Sequence, residues 1–251
     1  MNRSRLQRVV NLVFLLVTIT VNGLANALRI NGQTTAEVSD KFAVYFVPAG
    51  YVFAIWGVIY LGLLAFSIYQ LLPSQSGNPR LGRVGWWFAI GCLANAAWIF
   101  CWHYEVFPAT LMLMLLLLAS LIVIYRRLGA GRDTASLVEK LVVDLPFSIY
   151  LGWITVATVA NVTDVLYSMG WNGAPLSPEL WAVIMLVIAT GLSVSMSLRH
   201  RNIGYAAVIV WAFVGIAVKQ SGTSLVSWSA IVLAAVAAAG IVVSLPKRRP
   251  A

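Results

Sequence analysis

The chain is poor in charge. Only 10% of its 251 residues are charged, against 61% that are hydrophobic, and that is too little charge to coat a water-soluble body of this size. A soluble globular domain is therefore excluded. Acids are the scarcest charges, with eight Asp and Glu against 17 Lys and Arg and a net charge of +9. Cysteine is nearly absent. Cys92 and Cys101 stand nine residues apart on one apolar run, and at about 100° per residue they point to opposite faces and cannot pair with each other. No zinc or iron–sulfur spacing is present. The two histidines, His103 and His200, stand with no nucleophile, third partner or metal-ligand set, so the sequence offers no enzymatic site, metal or cofactor.

Long apolar runs are what remains. Eight occur, at 9–28, 51–72, 85–102, 109–125, 141–162, 180–198, 203–218 and 225–245, each roughly 16 to 22 residues and near the ~20 needed to cross about 30 Å of hydrocarbon as a helix. The seventh is the shortest. The expected fold class is an all-α integral membrane protein with eight transmembrane helices. A stretch rich in glycine and proline, 164–178, divides it into a five-helix part, 9–165, and a three-helix part, 166–251. Amides and tryptophans sit deep in the first part. Small residues such as Ala234, Ala235 and Gly240 dominate the end of the second and suit close helix packing.

The basic residues alternate from loop to loop. Arg3, Arg5, Arg8, Arg80, Arg83, Arg126, Arg127, Arg132, Lys140, Arg199, Arg201, Lys247, Arg248 and Arg249 fall on one side, leaving Arg29, Lys41 and Lys219 on the other. This is the positive-inside pattern, and it places both termini in the cytoplasm of a cell-membrane protein. The positive balance thus reads as topology and contact with anionic lipid heads, not as a nucleic-acid patch. The arginine-rich start and Ala25-Asn26-Ala27 imitate a secretory signal, but the run is long for a signal core and carries Thr18, Thr20 and Asn22, so it is expected to be retained.

An amide in hydrocarbon is costly without a partner, so polar groups at depth mark packing contacts or a cavity. Asn95 and Trp98 share a stripe of the third run, and Trp153, Ala157 and Asn161 share one of the fifth. Tyr51, Phe53, Trp56 and Tyr60 crowd the outer half of the second. At 1.5 Å per residue Trp98, Trp56, Asn95 and Trp153 lie about 6, 9, 10 and 14 Å below the outer ends of their helices. All fall under the longest outer loop, as an outward-facing aromatic pocket would require. Packing between neighbouring helices is the competing reading at Asn95, Trp98 and Ala157. Asp144, just inside the basic side, is expected to pair with Arg126, Arg127 or Lys140, and Asn22 and Asn26 to bond neighbouring helices.

At these residues the first five helices resemble the TspO and mitochondrial benzodiazepine receptor family, the tryptophan-rich sensory proteins. The segments are Pro48-Ala-Gly-Tyr-Val-Phe-Ala-Ile-Trp56-Gly-Val-Ile-Tyr60, Asn95-Ala-Ala-Trp98 and Trp153-Ile-Thr-Val-Ala157-Thr158-Val-Ala-Asn161. The family's usual Trp-Thr-Pro-Pro is replaced here by Tyr45-Phe46-Val47-Pro48-Ala49. The resemblance implies a five-helix bundle with a pocket capped by the first loop, taking a porphyrin or haem-like ligand, lined or supported by Trp56, Tyr60, Asn95, Trp98, Trp153, Ala157 and Asn161. The expected function is binding of a planar apolar molecule for sensing or transport. A small-solute transporter coupled through Asp144, and a scaffold whose last three helices hold a partner protein, are the alternatives. The expected partners are the lipid bilayer, the small molecule and, as an open assembly state, a second copy in a homodimer.

Overall fold

A computed structural model describes residues 3–42, 44–130 and 135–245. Among them there is helix and no strand. Eight long helices follow the eight apolar runs: α1 (Arg3–Ala27), α2 (Ile55–Tyr69), α3 (Trp87–His103), α4 (Phe107–Leu128), α5 (Leu145–Ser168), α6 (Pro178–His200), α7 (Ile203–Lys219) and α8 (Ser224–Ser244). Six helical spans are long and apolar enough to cross a membrane, whereas α3 and α7 are shorter apolar helices of 17 residues. Arg132 and Lys247 to Arg249, four of the basic residues that set the expected orientation, lie outside the described residues.

Local chemistry sets the helix ends. Pro108 in the first turn of α4 costs no internal hydrogen bond, and Gly129 closes that helix in the left-handed conformation at φ 62°. The Ser177 side chain caps α6 and that of Asn202 caps α7. In the first turn of α5, Pro146 removes an N–H from the helical ladder, and a wider π turn spans Lys140–Asp144 just before that helix.

The helices pack in one connected set. α1 lies on α2 and α3, α3 on α4, α4 on α5, and α5 on α2, while α7 joins α5 to α6 and α8. The two parts expected on either side of 164–178 are therefore in direct contact. At Gly152 a Cβ would stand 2.9 Å from the Tyr205 carbonyl oxygen, and at Gly215 it would stand 2.2 Å from Val52 Cγ2, so glycine alone lets α7 approach both α5 and the turn ahead of α2. α5 also continues past the apolar run to Ser168, so Asp164, expected in the connecting stretch, is a buried helical residue. Continuation of the helix satisfies backbone groups that a loop at that depth would leave bare.

Phe66, Phe88 and Phe147 form an edge-to-face trio in the core, with centroids 4.9 to 5.7 Å apart. Large apolar residues such as Leu61, Met112 and Val187 point outward and are more than half exposed, as a lipid-facing surface demands. Asp144 is ion-paired, but with Arg80 from the α2–α3 connection rather than with Arg126, Arg127 or Lys140. Arg80 also donates to the Leu128 carbonyl, so the ion partner seen among the described residues comes from across the bundle.

Candidate functional site

The loop between α1 and α2 is fastened at both ends. Its short helix Thr35–Ser39 is started by a capping box between Thr34 and Glu37, and Glu37 also pairs with Arg29 at 2.8 Å. His103, fully buried at the end of α3, holds the loop from beneath: its Nδ1 is 3.1 Å from the Ile30 carbonyl and its Nε2 3.2 Å from the Thr35 hydroxyl. The carbonyl fixes the tautomer, so Nδ1 carries the proton and Nε2 accepts from Thr35. Asn31 and Gln33 donate to the His103 carbonyl at 2.8 Å, and Trp102 donates to that of Thr35. Lys41 pairs with Glu105, and Asp40 with Lys219 of α7. The Lys41 ammonium and the Gln33 amide hold the Glu105 carboxyl below the usual carboxylate range. Farther along, Ala49 donates to the Gly215 carbonyl.

Beneath this cover a cavity of about 450 Å³ opens between α1 and α2, within the size range of small-molecule sites. Asn22, Asn26, Phe53, Trp56 and Tyr60 supply its larger side chains, and Thr35, Ala36 and Gly50 close it from the loop side. Gly23 and Gly57 are the reason for the space. A Cβ at either would meet no atom within 4 Å. Trp56 and Tyr60 stack with centroids 5.4 Å apart and planes 22° from parallel. The Tyr60 hydroxyl is buried with no hydrogen-bond partner. Trp153 meets Trp56 edge-on at 6.2 Å and Phe53 at 5.7 Å, and its indole N–H is also unpartnered.

The other candidate residues are placed differently. Asn95, with no exposure, accepts from Asn22 at 2.8 Å and donates to the Tyr150 hydroxyl at 3.0 Å, pinning α1, α3 and α5 together. Asn161 donates to Thr110 at 2.8 Å and accepts from Trp98 at 3.4 Å, and Trp98 stacks on Trp102 at 5.1 Å. Ala157 is half-buried against the core. The structure thus gathers Trp56, Tyr60 and Trp153 beside the cavity, joins Asn95 to its Asn22 wall, and sets Trp98 with Asn161 in a separate packed pair.

Sequence reasoning missed the contribution of α1. The signal was present in Asn22 and Asn26, four apart on one face with Gly23 beside them. A second apolar cavity, about 340 Å³, was missed as well; it lies between α5, α6 and the loop and is walled by Tyr45, Phe46, Tyr167, Trp171 and Trp181. Among the described residues, no group of three His, Cys, Asp or Glu side chains could hold a metal.

These features define a multi-pass helical membrane protein with a latched loop over an aromatic cavity. The chain belongs to the TSPO-like protein family, whose model matches residues 8–243 and so runs through the last three helices as well as the first five. No curated protein and no solved structure matches the chain.

Proposed function

We propose that this chain is a non-enzymatic binding protein of the TspO type that takes a planar apolar molecule, of the tetrapyrrole kind, in the cavity between α1 and α2, in the service of sensing or transport. The observation that carries this reading is the near-parallel Trp56–Tyr60 pair beside about 450 Å³ of open space, with an unpartnered Tyr60 hydroxyl. Stacked rings favour a flat partner, and a buried hydroxyl without a bond is stabilised by a ligand acceptor or donor. Trp153, edge-on to Trp56, supports the ring from behind. Asn95 acts one step away, by holding Asn22 in the cavity wall.

In this reading all eight helices cross the cell membrane and both termini are cytoplasmic. The 17-residue α3 and α7 reach about 25 Å at 1.5 Å per residue, short of the average hydrocarbon core but within what local thinning allows. Proton-coupled transport gains no support from Asp144, whose carboxylate is held by Arg80.

Titration of the purified protein with protoporphyrin, followed by tryptophan fluorescence quenching, tests the proposal. Trp56→Leu is expected to weaken binding by about tenfold or more, the loss of one ring-stacking contact plus its buried area. Tyr60→Phe should weaken it about threefold to tenfold, the worth of one hydrogen bond. Equal affinities in wild type and Trp56→Leu would sink the proposal.

A further inference from the structure

The opposite, basic end of the bundle carries two cavities that share Ala130 as a wall. One, of about 330 Å³, is polar: Lys140, Ser148, Arg201 and Asn202 face it. The other, about 670 Å³, is a groove between α4, α5, α6 and α7 whose walls are Leu118, Ile122, Leu151, Leu192 and Met196, with Arg126 and His200 also on its lining.

Asn202 is the telling residue. It is only 6% exposed, and its Oδ1 is committed to capping α7 by accepting from the Tyr205 N–H at 3.0 Å. That bond orients the amide, and it leaves Nδ2 buried with no acceptor. An unpaired buried donor is costly, and here it belongs to a residue that lines a cleft whose other polar side chains include two cations. The Asp144 carboxylate lines the same cleft but is balanced by its ion pair with Arg80, so Lys140 and Arg201 leave the lining with a net positive charge. Donor and cations call for an anion, while the neighbouring groove calls for a hydrocarbon chain.

We propose that this end of the protein holds an acidic phospholipid, its phosphate in the Lys140–Arg201–Asn202 cleft and one acyl chain along the Leu118–Met196 groove. The site is separate from the α1–α2 cavity and does not depend on what that cavity binds. Juxtamembrane cations draw anionic lipid heads generally. The buried Asn202 donor and the adjoining apolar groove distinguish a built site from a diffuse basic surface.

Native mass spectrometry of the full chain, offered equal amounts of phosphatidylglycerol and phosphatidylcholine, tests this. The wild type should retain phosphatidylglycerol about tenfold more than phosphatidylcholine, given two cations near the head. Asn202→Asp keeps the capping oxygen but replaces the donor with a charge that repels phosphate, so the ratio should fall to near one. Lys140→Gln should lower it partway. Leu192→Trp, which crowds the groove, should lower retention of phosphatidylglycerol as well. Thermal unfolding of each variant confirms that it is folded, and a variant that fails to fold is replaced by Lys140→Gln with Arg201→Lys. No preference in the wild type, or an unchanged ratio in folded Asn202→Asp, would overturn the proposal. So would displacement of the lipid by inorganic phosphate alone at millimolar concentration, which would mean a soluble-anion site.

Discussion

Trp56 with Tyr60 and Trp98 with Asn95 look alike on paper, each an aromatic with a polar neighbour in an apolar helix. In the folded chain they are opposites. The first pair borders open space and keeps a hydroxyl unpaired, whereas Asn95 uses its amide on Asn22 and Tyr150, and Trp98 donates to Asn161, which uses its own amide on Thr110 as well. Where every polar atom has a partner from the chain, the group is part of the scaffold. Where one is buried and idle beside a cavity, it is available to something else.

That contrast can be broken most strongly at Asn95. Asn95→Leu removes two buried bonds and strands the Tyr150 hydroxyl, so it should cost about 2 kcal/mol of stability, read by thermal or denaturant unfolding in detergent. Protoporphyrin affinity of the folded fraction should stay within a fewfold. A large affinity loss without destabilisation would move Asn95 from scaffold to site. Trp98→Phe is a milder version. It gives up one long hydrogen bond and part of a stacked ring, for about 1 kcal/mol, and should leave binding unchanged.

The smallest effect concerns the loop. Glu105 has its carboxyl held low by Lys41 and Gln33, so its contribution to the latch is complete above the ordinary carboxylate range and is lost as pH falls through its own lower value. Amide exchange of residues 33–41 should therefore accelerate only in that acidic window. Glu105→Gln should exchange faster at neutral pH and lose this pH dependence. An identical acid response in wild type and variant would show that the latch rests on its other contacts, such as those of His103.

Much of the helical frame was legible because hydropathy reports burial in lipid directly. The run at 203–218 became Ile203–Lys219, and that at 225–245 became Ser224–Ser244. Ends shifted where polar residues continued a helix, as at Asp164, whose place in α5 no hydropathy window shows. Of the site, the aromatic content of α2 was visible, since Trp56 and Tyr60 lie one turn apart. Partnership was not. Asn22 and Asn95 meet across 73 residues, and a sequence period fixes the face of a helix but not which helix it faces. The role of Gly23 and Gly57 was hidden for a related reason, because a cavity made by missing side chains is a property of two surfaces together.

The most direct test of the central claim fills that cavity from a position where an added Cβ meets no other atom. In Gly57→Leu the new Cβ has no atom within 4 Å, and replacing a helical glycine should if anything stabilise α2 by up to about 1 kcal/mol. Its protoporphyrin titration, run beside the wild type at matched folded fraction, should show affinity reduced by at least about tenfold with unfolding unchanged or improved. Wild-type affinity in a folded Gly57→Leu protein would contradict the account and place the ligand elsewhere.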